Sequence, residues 1–158
     1  MKNRNNRGLT VVELLVAVAI ITVFITSIAY SYSAILRLAF NNTLSIKAAF
    51  LLEDTVEAVK FLKRVSWQNN IAVLDSDQDY FLSFTGSGWE VVSENIFIDG
   101  VFERKFILED VNRDSDGRVV ESPSGTLDAG TKKLTAYVSW QKSSATTTRS
   151  ITTYLSDI

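Results

Sequence analysis

The sequence lacks several residue types, and each absence limits what the chain can do. Its 158 residues include no cysteine, no histidine and a single proline, Pro123. Without cysteine the chain can form neither disulfide bonds nor thiolate metal sites. Without histidine it lacks the commonest general base and the commonest ligand of transition metals. Because no nucleophile–base pair and no phosphate-binding loop is recognisable, the sequence predicts that the protein is not an enzyme.

Glycine, proline and charge are also missing from long stretches of the chain. No glycine or proline occurs from Leu9 to Thr85, so neither residue interrupts a helix there. No charged residue occurs from Leu14 to Leu36. At about 1.5 Å per helical residue, this run is long enough to cross about 30 Å of hydrocarbon. The sequence therefore predicts a membrane-spanning helix.

Basic residues flank the uncharged run unequally. Lys2, Arg4 and Arg7 precede it, whereas only Arg37 follows it closely. Because the flank richer in lysine and arginine remains cytoplasmic, we expect a cytoplasmic N-terminus and an extracytoplasmic C-terminal part. Acidic residues outnumber basic ones beyond residue 8, and this balance does not suggest binding to nucleic acid.

Other N-terminal signals also contain an apolar run. An uncleaved signal anchor is one alternative. A cleaved secretory signal peptide is another, with residues 31–33 (Ser-Tyr-Ser) as its cleavage site, but its apolar region normally has about 7–15 residues. A lipoprotein signal is excluded because no cysteine follows the run.

Glu13 is the single charged residue in the apolar run that begins at Leu9. A carboxylate inside a membrane helix costs about 2.5–3.5 kcal/mol on insertion scales, so such a residue is a candidate functional site. The question that follows is which cation pairs with Glu13.

Residues 8–15 read GLTVVELL, after a basic leader and before the uninterrupted apolar run. This combination resembles the type III signal of type IV pilins and type II secretion pseudopilins. The resemblance implies that prepilin peptidase cuts between Gly8 and Leu9 and then methylates the new amino group of Leu9. Thr10 and Glu13 stand where the family has them, whereas Leu9 replaces the family's usual phenylalanine.

Cleavage after Gly8 would create an α-amino group with an ordinary pKa of about 8, which is positively charged near neutral pH. This amine lies about one helical turn from Glu13, so the carboxylate of the same chain can offset its charge. In the family, the acid instead pairs with the amine of a neighbouring subunit. Either pairing offsets the cost of burying both charges. The pair also sets the axial register between subunits, because any other register would leave a charge without a partner in apolar surroundings.

The resemblance also implies partners and a location. The partners would be other pilin or pseudopilin subunits, an assembly platform protein and an assembly ATPase. The protein would be a single-pass protein of the inner or cytoplasmic membrane that enters a cell-surface or periplasmic filament. The short chain favours a minor pilin or pseudopilin, while pilus, secretion and competence systems all remain open. The alternative is a signal-anchored protein with a β-rich extracytoplasmic binding domain that never assembles.

Helical periodicity continues beyond the membrane run. Residues at spacings of three and four predict one face that covers a core: Phe40, Leu44, Ala48, Leu51, Thr55, Ala58, Val59 and Leu62. We expect this helix to end near Arg64. Glu57 and Lys60 can form an i,i+3 pair. Residues 57–60, followed by Trp67, are similar to the corresponding helix end of minor pilins and pseudopilins, although we favour the simpler interpretation of Glu57 as a paired surface acid.

After Trp67 the period changes from helix to strand. Strands are predicted at 80–84, 89–92, 102–111, 134–140 and 146–155, with a turn at 85–88 and with Trp89 and Trp140 in the core. An amphipathic sheet needs a cover, and the second half of the helix can provide it. The predicted fold is therefore α+β and pilin-like. Its parts are a leader (1–8), a membrane or filament-core half-helix (9–36), an amphipathic half-helix (37–66) and a β-rich domain (67–158).

Residues 110–117 form an acidic segment with alternate oxygen-bearing side chains, which suit calcium. The candidate ligands are Asp110, Asn112, Asp114 and Asp116. Neither calcium-loop register is complete, because Pro123 takes the closing position in one and Ser115 takes the glycine position in the other. The alternative, which we favour, is a hairpin turn at Asp116-Gly117 between two strands. No other cofactor is predicted.

Overall fold

The computed structural model describes residues 10–121, 123–142 and 145–157. The predicted leader and Leu9 lie outside these residues. The described chain contains two helices and six strands: α1 (Val11–Val65), α2 (Trp67–Asn70), β1 (Phe81–Phe84), β2 (Trp89–Val92), β3 (Phe102–Arg113), β4 (Val119–Val120), β5 (Thr126–Lys142) and β6 (Ala145–Ser156).

Helix α1 extends over 55 residues, and it ends close to the predicted position. Lys63 and Arg64 occupy its last turn, where cations interact favourably with the helix dipole. Ser66 then caps α2, because its hydroxyl accepts a hydrogen bond from the backbone N–H of Asn69 at 3.2 Å.

The chain divides into two compact units, one ending at Thr43 and the other beginning at Leu44. In the first unit, the described residues are Thr10 and the N-terminal part of α1, and none of them is buried. Helix α1 is long and apolar enough to cross a membrane, with a mean hydropathy of 2.6 over its most apolar window. It is the one helix with these properties in the described part of the chain.

The second unit contains a four-stranded antiparallel sheet in the order β4-β3-β5-β6 and a two-stranded β1-β2 ribbon. Strand β5 pairs with β3 on one side, between Thr126 and Trp140, and with β6 on the other, between Thr131 and Lys142. A register shift interrupts β3 between Asp110 and Asn112, as a β-bulge does.

The core of the second unit lies between α1 and one face of this sheet. The helix contributes a buried face: Ala48, Leu52, Thr55, Val56, Ala58, Val59 and Leu62. Alternate residues of β3 and β5 form the facing side of the core: Phe102, Phe106, Leu108, Leu134, Ala136, Val138 and Trp140. This side-chain alternation is the period of a sheet with one covered face.

The helix face predicted from the sequence is largely confirmed, with one error. Phe40 is 67% exposed and belongs to the first unit, where the described residues build no core. Its assignment to the core-facing stripe was therefore wrong. Leu52 and Val56 were omitted from the prediction, although they follow Ala48 at intervals of four residues on the same face.

The predicted strands are confirmed with changes at their ends. The β1-β2 hairpin has the expected turn, with Phe84 opposite Trp89. Strand β5 begins at Thr126, earlier than predicted, and the two-residue strand β4 was not predicted. Trp140 is buried as expected, whereas Trp89 is only partly buried. A long apolar N-terminal helix followed by antiparallel sheets is the predicted α+β, pilin-like layout.

Candidate functional site

Two of the four predicted N-terminal site residues lie at the start of α1. Thr10 precedes the helix, and Glu13 is in its first turn. Gly8 and Leu9, the residues of the predicted cleavage and methylation site, lie outside the described residues. Their roles stay predictions that rest on the sequence motif.

Thr10 and Glu13 bind each other through two reciprocal hydrogen bonds. The backbone N–H of Thr10 donates to Oε2 of Glu13 at 3.4 Å, and the backbone N–H of Glu13 donates to Oγ1 of Thr10 at 3.3 Å. This arrangement is a capping box, which gives partners to two backbone donors that the helix itself leaves unpaired. The carboxylate also lies at the helix end that favours negative charge.

The geometry of this capping box leaves the Glu13 carboxylate available to a stronger partner. Both hydrogen bonds are longer than the usual 2.7–3.2 Å of N–H···O bonds. A bond to an ammonium group would be charge-assisted, and hence shorter and stronger. The capping box was not predicted, although a threonine followed by a glutamate three residues later, before an apolar run, is its signature.

Five hydroxyl groups in the first unit's part of α1 have partners within the helix. Each donates to a backbone carbonyl three or four residues earlier: Thr22, Thr26, Ser27, Ser33 and Thr43. An unpaired polar group is costly in hydrocarbon. These five hydroxyl groups therefore add little to the cost of placing this part of α1 in hydrocarbon.

The four candidate calcium ligands have other partners. Asp110 accepts a hydrogen bond from Lys132 at 2.6 Å, which lowers the pKa of this aspartate, and the Asn112 amide donates to the Ser124 carbonyl. Asp114 accepts hydrogen bonds from the backbone N–H groups of residues 116 and 118. Asp116 forms an exposed ion pair with Arg118.

The acidic segment instead makes the β3-β4 turn, as the alternative interpretation predicted. The N–H of Gly117 donates to the carbonyl of Asp114, and Gly117 has the positive φ of 77° that glycine adopts readily. Among the described residues, no group of three or more carboxylates is placed to hold a metal ion. The calcium site stays a prediction, and the geometry of its four residues gives it no support.

The region around Glu57 has the arrangement of an ordinary helix surface. Glu57 pairs with Lys60 at 2.9 Å, and this hydrogen bond lowers the pKa of the Glu57 carboxyl. Trp67 is buried in the core. The simpler explanation of Glu57 as a paired surface acid therefore accounts for its geometry.

The comparisons with known proteins identify the N-terminal segment. A family model, the prokaryotic N-terminal methylation motif, matches residues 3–29. The chain therefore carries the signal of type IV pilins and pseudopilins, which supports a membrane-anchored, pilin-like protein that prepilin peptidase processes. Comparisons with curated proteins and with solved structures gave no match.

Proposed function

We propose that this protein is a structural subunit of a type IV pilus or of a type II secretion-type filament, in a minor pilin or pseudopilin role. The observation that carries the proposal is the methylation motif at the start of a long, exposed apolar helix. Prepilin peptidase cleaves after Gly8 and methylates Leu9. The protein then remains in the membrane until assembly.

Assembly in this proposal transfers an apolar helix from lipid to the helices of other subunits. The described residues of the first unit are unburied and build no core of their own, so their apolar surface needs either environment. Glu13 guides the transfer by exchanging its weak bond to Thr10 for the amine of a neighbouring subunit. An assembly platform protein and an ATPase supply the work, and no catalytic role is assigned to this chain.

The β-rich second unit lies outside the membrane in this proposal, and the N-terminus lies in the cytoplasm. The unequal basic flanks of the apolar run support this orientation. After assembly, the second unit decorates the outside of a filament at the cell surface or in the periplasm.

Mass spectrometry of the protein purified from its own cells tests the processing step. We expect a mature chain that begins at Leu9 and carries one methyl group on its α-amino nitrogen. A chain that still begins at Met1 would exclude the proposal and favour a signal-anchored protein that does not assemble.

Two substitutions at Glu13 separate the charge of this residue from its capping role. Glu13→Gln keeps the capping box, because glutamine can replace glutamate there, but it lacks the negative charge. Glu13→Ala lacks both. We expect both variants to be cleaved normally and neither to enter filaments, as measured on isolated filaments with Glu53→Ala as the control. Filaments containing normal amounts of Glu13→Gln would contradict the proposed pairing with an amine.

A further inference from the structure

The outer side of strand β2 has backbone groups without partners among the described residues. Thr85 donates to the Gly88 carbonyl at 3.0 Å, so bonded and non-bonded pairs alternate along β1 and β2 from that point. Trp89 and Val91 belong to non-bonded pairs, and their N–H and C=O groups therefore point away from β1. The carbonyl of Leu82, which lies opposite Val91, accepts a hydrogen bond from β3, as this alternation requires.

A cavity of about 570 Å³ lies beside this free edge. Five consecutive residues line one side of it, from residue 89 to residue 93. The other lining residues come from the end of α1, from α2 and from the segment that leads to β1: Leu62, Asn69, Asn70, Leu74 and Tyr80. The described part of the second unit therefore leaves open space next to the unpaired backbone groups of β2.

Strand β6 has a second free edge. Phe106 donates to Tyr80, away from β5, so its pair with Ala136 is non-bonded and Ala136 bonds to Ile151 of β6. The even-numbered residues of β6 therefore point their N–H and C=O groups away from β5. Among the described residues, no strand pairs with this side of β6. Both edges offer backbone hydrogen-bonding groups to an added strand.

The two edges match each other in direction and in face. Strand β2 is antiparallel to β1, β1 to β3 through the Tyr80–Phe106 bridge, β3 to β5, and β5 to β6, so β2 and β6 run in the same direction. Trp89 and Val91 of β2 and Leu155 of β6 all pack on the same core, so the odd-numbered residues of both strands lie on the covered face. Two second units in the same orientation can therefore continue one sheet, with the cores on the same side.

We propose that neighbouring copies of this protein in a filament join their second units edge to edge, with β6 of one copy added parallel to β2 of the next. The proposal rests on the proposed function, which gives neighbouring copies the same orientation. The contact uses two different surfaces of each copy, and such head-to-tail contacts build open filaments unless their rotation closes a ring.

The shortness of β2 limits the strength of this contact. Strand β2 has four residues, so an added strand gains few hydrogen bonds. Such a contact is weak between free proteins and becomes effective when another interaction already holds the copies together. Packing of the α1 helices in the filament provides that interaction, so the strand contact forms during assembly.

Disulfide cross-linking in isolated filaments tests this contact, and the absence of native cysteine makes each engineered thiol unique. Cells produce two variants together, one with Glu90→Cys on β2 and one with a single cysteine at each of positions 148–152 of β6 in turn. An epitope tag on one variant distinguishes cross-links between the variants from those within one variant. Ser115→Cys, in the exposed β3-β4 turn, replaces the β6 cysteine as the control.

We expect residue 90 to form cross-links with the even-numbered positions of β6, because parallel addition places Glu90 on the same face as those residues. Arg149→Cys and Ile151→Cys, on the opposite face, should give no more product than Ser115→Cys. Ser150→Pro removes one outward N–H and should lower the yield at positions 148 and 152 severalfold, whereas Ser150→Ala should leave that yield unchanged.

Three results would overturn the contact between copies and leave the proposed function intact. The first is cross-linking at the odd-numbered positions, which shows antiparallel addition by a copy of reversed orientation. The second is a yield that is equal at all five positions or no higher than the control, in filaments that contain the protein. The third is a cross-link from residue 90 to a different filament protein. Failure of the unsubstituted protein to enter filaments would overturn both proposals.

Discussion

Arg104 connects three parts of the second unit through a single buried side chain. Its guanidinium donates to Asp54 of α1 at 2.5 Å and to the Leu82 carbonyl of β1 at 3.3 Å, and it lies 5.0 Å from the centre of the Trp89 ring. The side chain is only 8% exposed, whereas Asp54 is 47% exposed. Burial lowers the pKa of Arg104, and the Asp54 carboxylate opposes this shift. Removing Asp54 and removing Arg104 should therefore lower the free energy of unfolding by different amounts.

Asp54→Ala should destabilise the protein more than Arg104→Met. The first change leaves a buried cation without its carboxylate, which costs about 1.5–3 kcal/mol. The second leaves a carboxylate that water can reach and fills the space with an apolar chain, which costs about 1 kcal/mol or less. Denaturant unfolding of the two variants measures the difference. A larger loss of unfolding free energy for Arg104→Met would show that its contacts with Leu82 and Trp89 dominate.

The outer side of β3 and the outer side of β6 differ in how many of their backbone groups have hydrogen-bond partners. The outer edge of β3 has partners, because Asp77 donates to the Leu108 carbonyl and Tyr80 and Phe106 exchange hydrogen bonds. Among the described residues, no strand pairs with the outer edge of β6. Strand β6 has one charged residue, Arg149, to protect a twelve-residue edge.

The direction of the backbone groups in β6 follows from the pairing of its neighbours. The N–H of Phe106 points away from β5, towards Tyr80. Phe106 lies opposite Ala136, and Ala136 lies opposite Ile151. Antiparallel strands alternate between bonded and non-bonded pairs, so the N–H of Ile151 points into the sheet and that of Ser150 points outward. The N–H of Asp157, an even number of residues after Ile151, donates to the Gly130 carbonyl of β5 and so also points into the sheet.

A pair of proline substitutions tests this assignment. Ser150→Pro removes an outward N–H, which an edge strand tolerates. Ile151→Pro removes a ladder hydrogen bond and should cost about 1–3 kcal/mol more. Ser150→Ala and Ile151→Ala control for the lost side chains, and thermal unfolding with circular dichroism provides the comparison. Equal destabilisation by the two prolines, after this correction, would contradict the assigned register.

At the scale of the whole molecule, ion pairs determine how stability depends on pH. Hydrogen bonds from Lys60, Lys132 and Arg113 lower the pKa values of three carboxyl groups, Glu57, Asp110 and Asp128, respectively. A hydrogen bond to Glu109 raises the pKa of Lys133. The chain has no histidine, the side chain whose ordinary pKa lies between pH 5 and 8.

These shifts predict a broad pH range of constant stability. A lowered carboxyl pKa stabilises the fold above the unfolded pKa of about 4, and this contribution is lost as the pH falls through the folded value. The raised pKa of Lys133 stabilises the fold below about pH 10 and is lost at higher pH. The thermal midpoint, measured in detergent, should therefore be constant between about pH 5 and 9 and should fall below about pH 4.

Lys132→Met provides the matched variant for this pH profile. Without its lysine partner, Asp110 should regain a more ordinary pKa, so the acid-side fall of the midpoint becomes shallower. A midpoint that rises on acidification, or an unchanged acid-side slope in Lys132→Met, would contradict the contribution assigned to this pair.

Local patterns were enough to predict the long helix, most of the strands and the N-terminal signal, but not the short elements α2 and β4. The absence of glycine and proline allows a helix as long as α1, and the change of period after Trp67 predicts where it ends; the β1-β2 hairpin follows from a glycine-rich turn between two apolar segments. Thr10 and Glu13 were found through the N-terminal signal, because that motif depends on neighbours in sequence, although the capping box between them was not predicted. Phe40 was misplaced because helical spacing alone does not show where the core begins.

The sequence by itself determined that this protein has an apolar N-terminal helix with one carboxylate, a basic leader and a β-rich remainder. These properties depend on composition and short-range periodicity. Only the tertiary structure decided which charges pair between distant segments: Asp110 binds Lys132 rather than lying free for a cation, and Asp54 meets Arg104 from fifty residues away. It also decided that Ile96, Phe97 and Val101 stay exposed, because contacts between distant segments depend on how helix and sheet pack, and no local pattern records that packing.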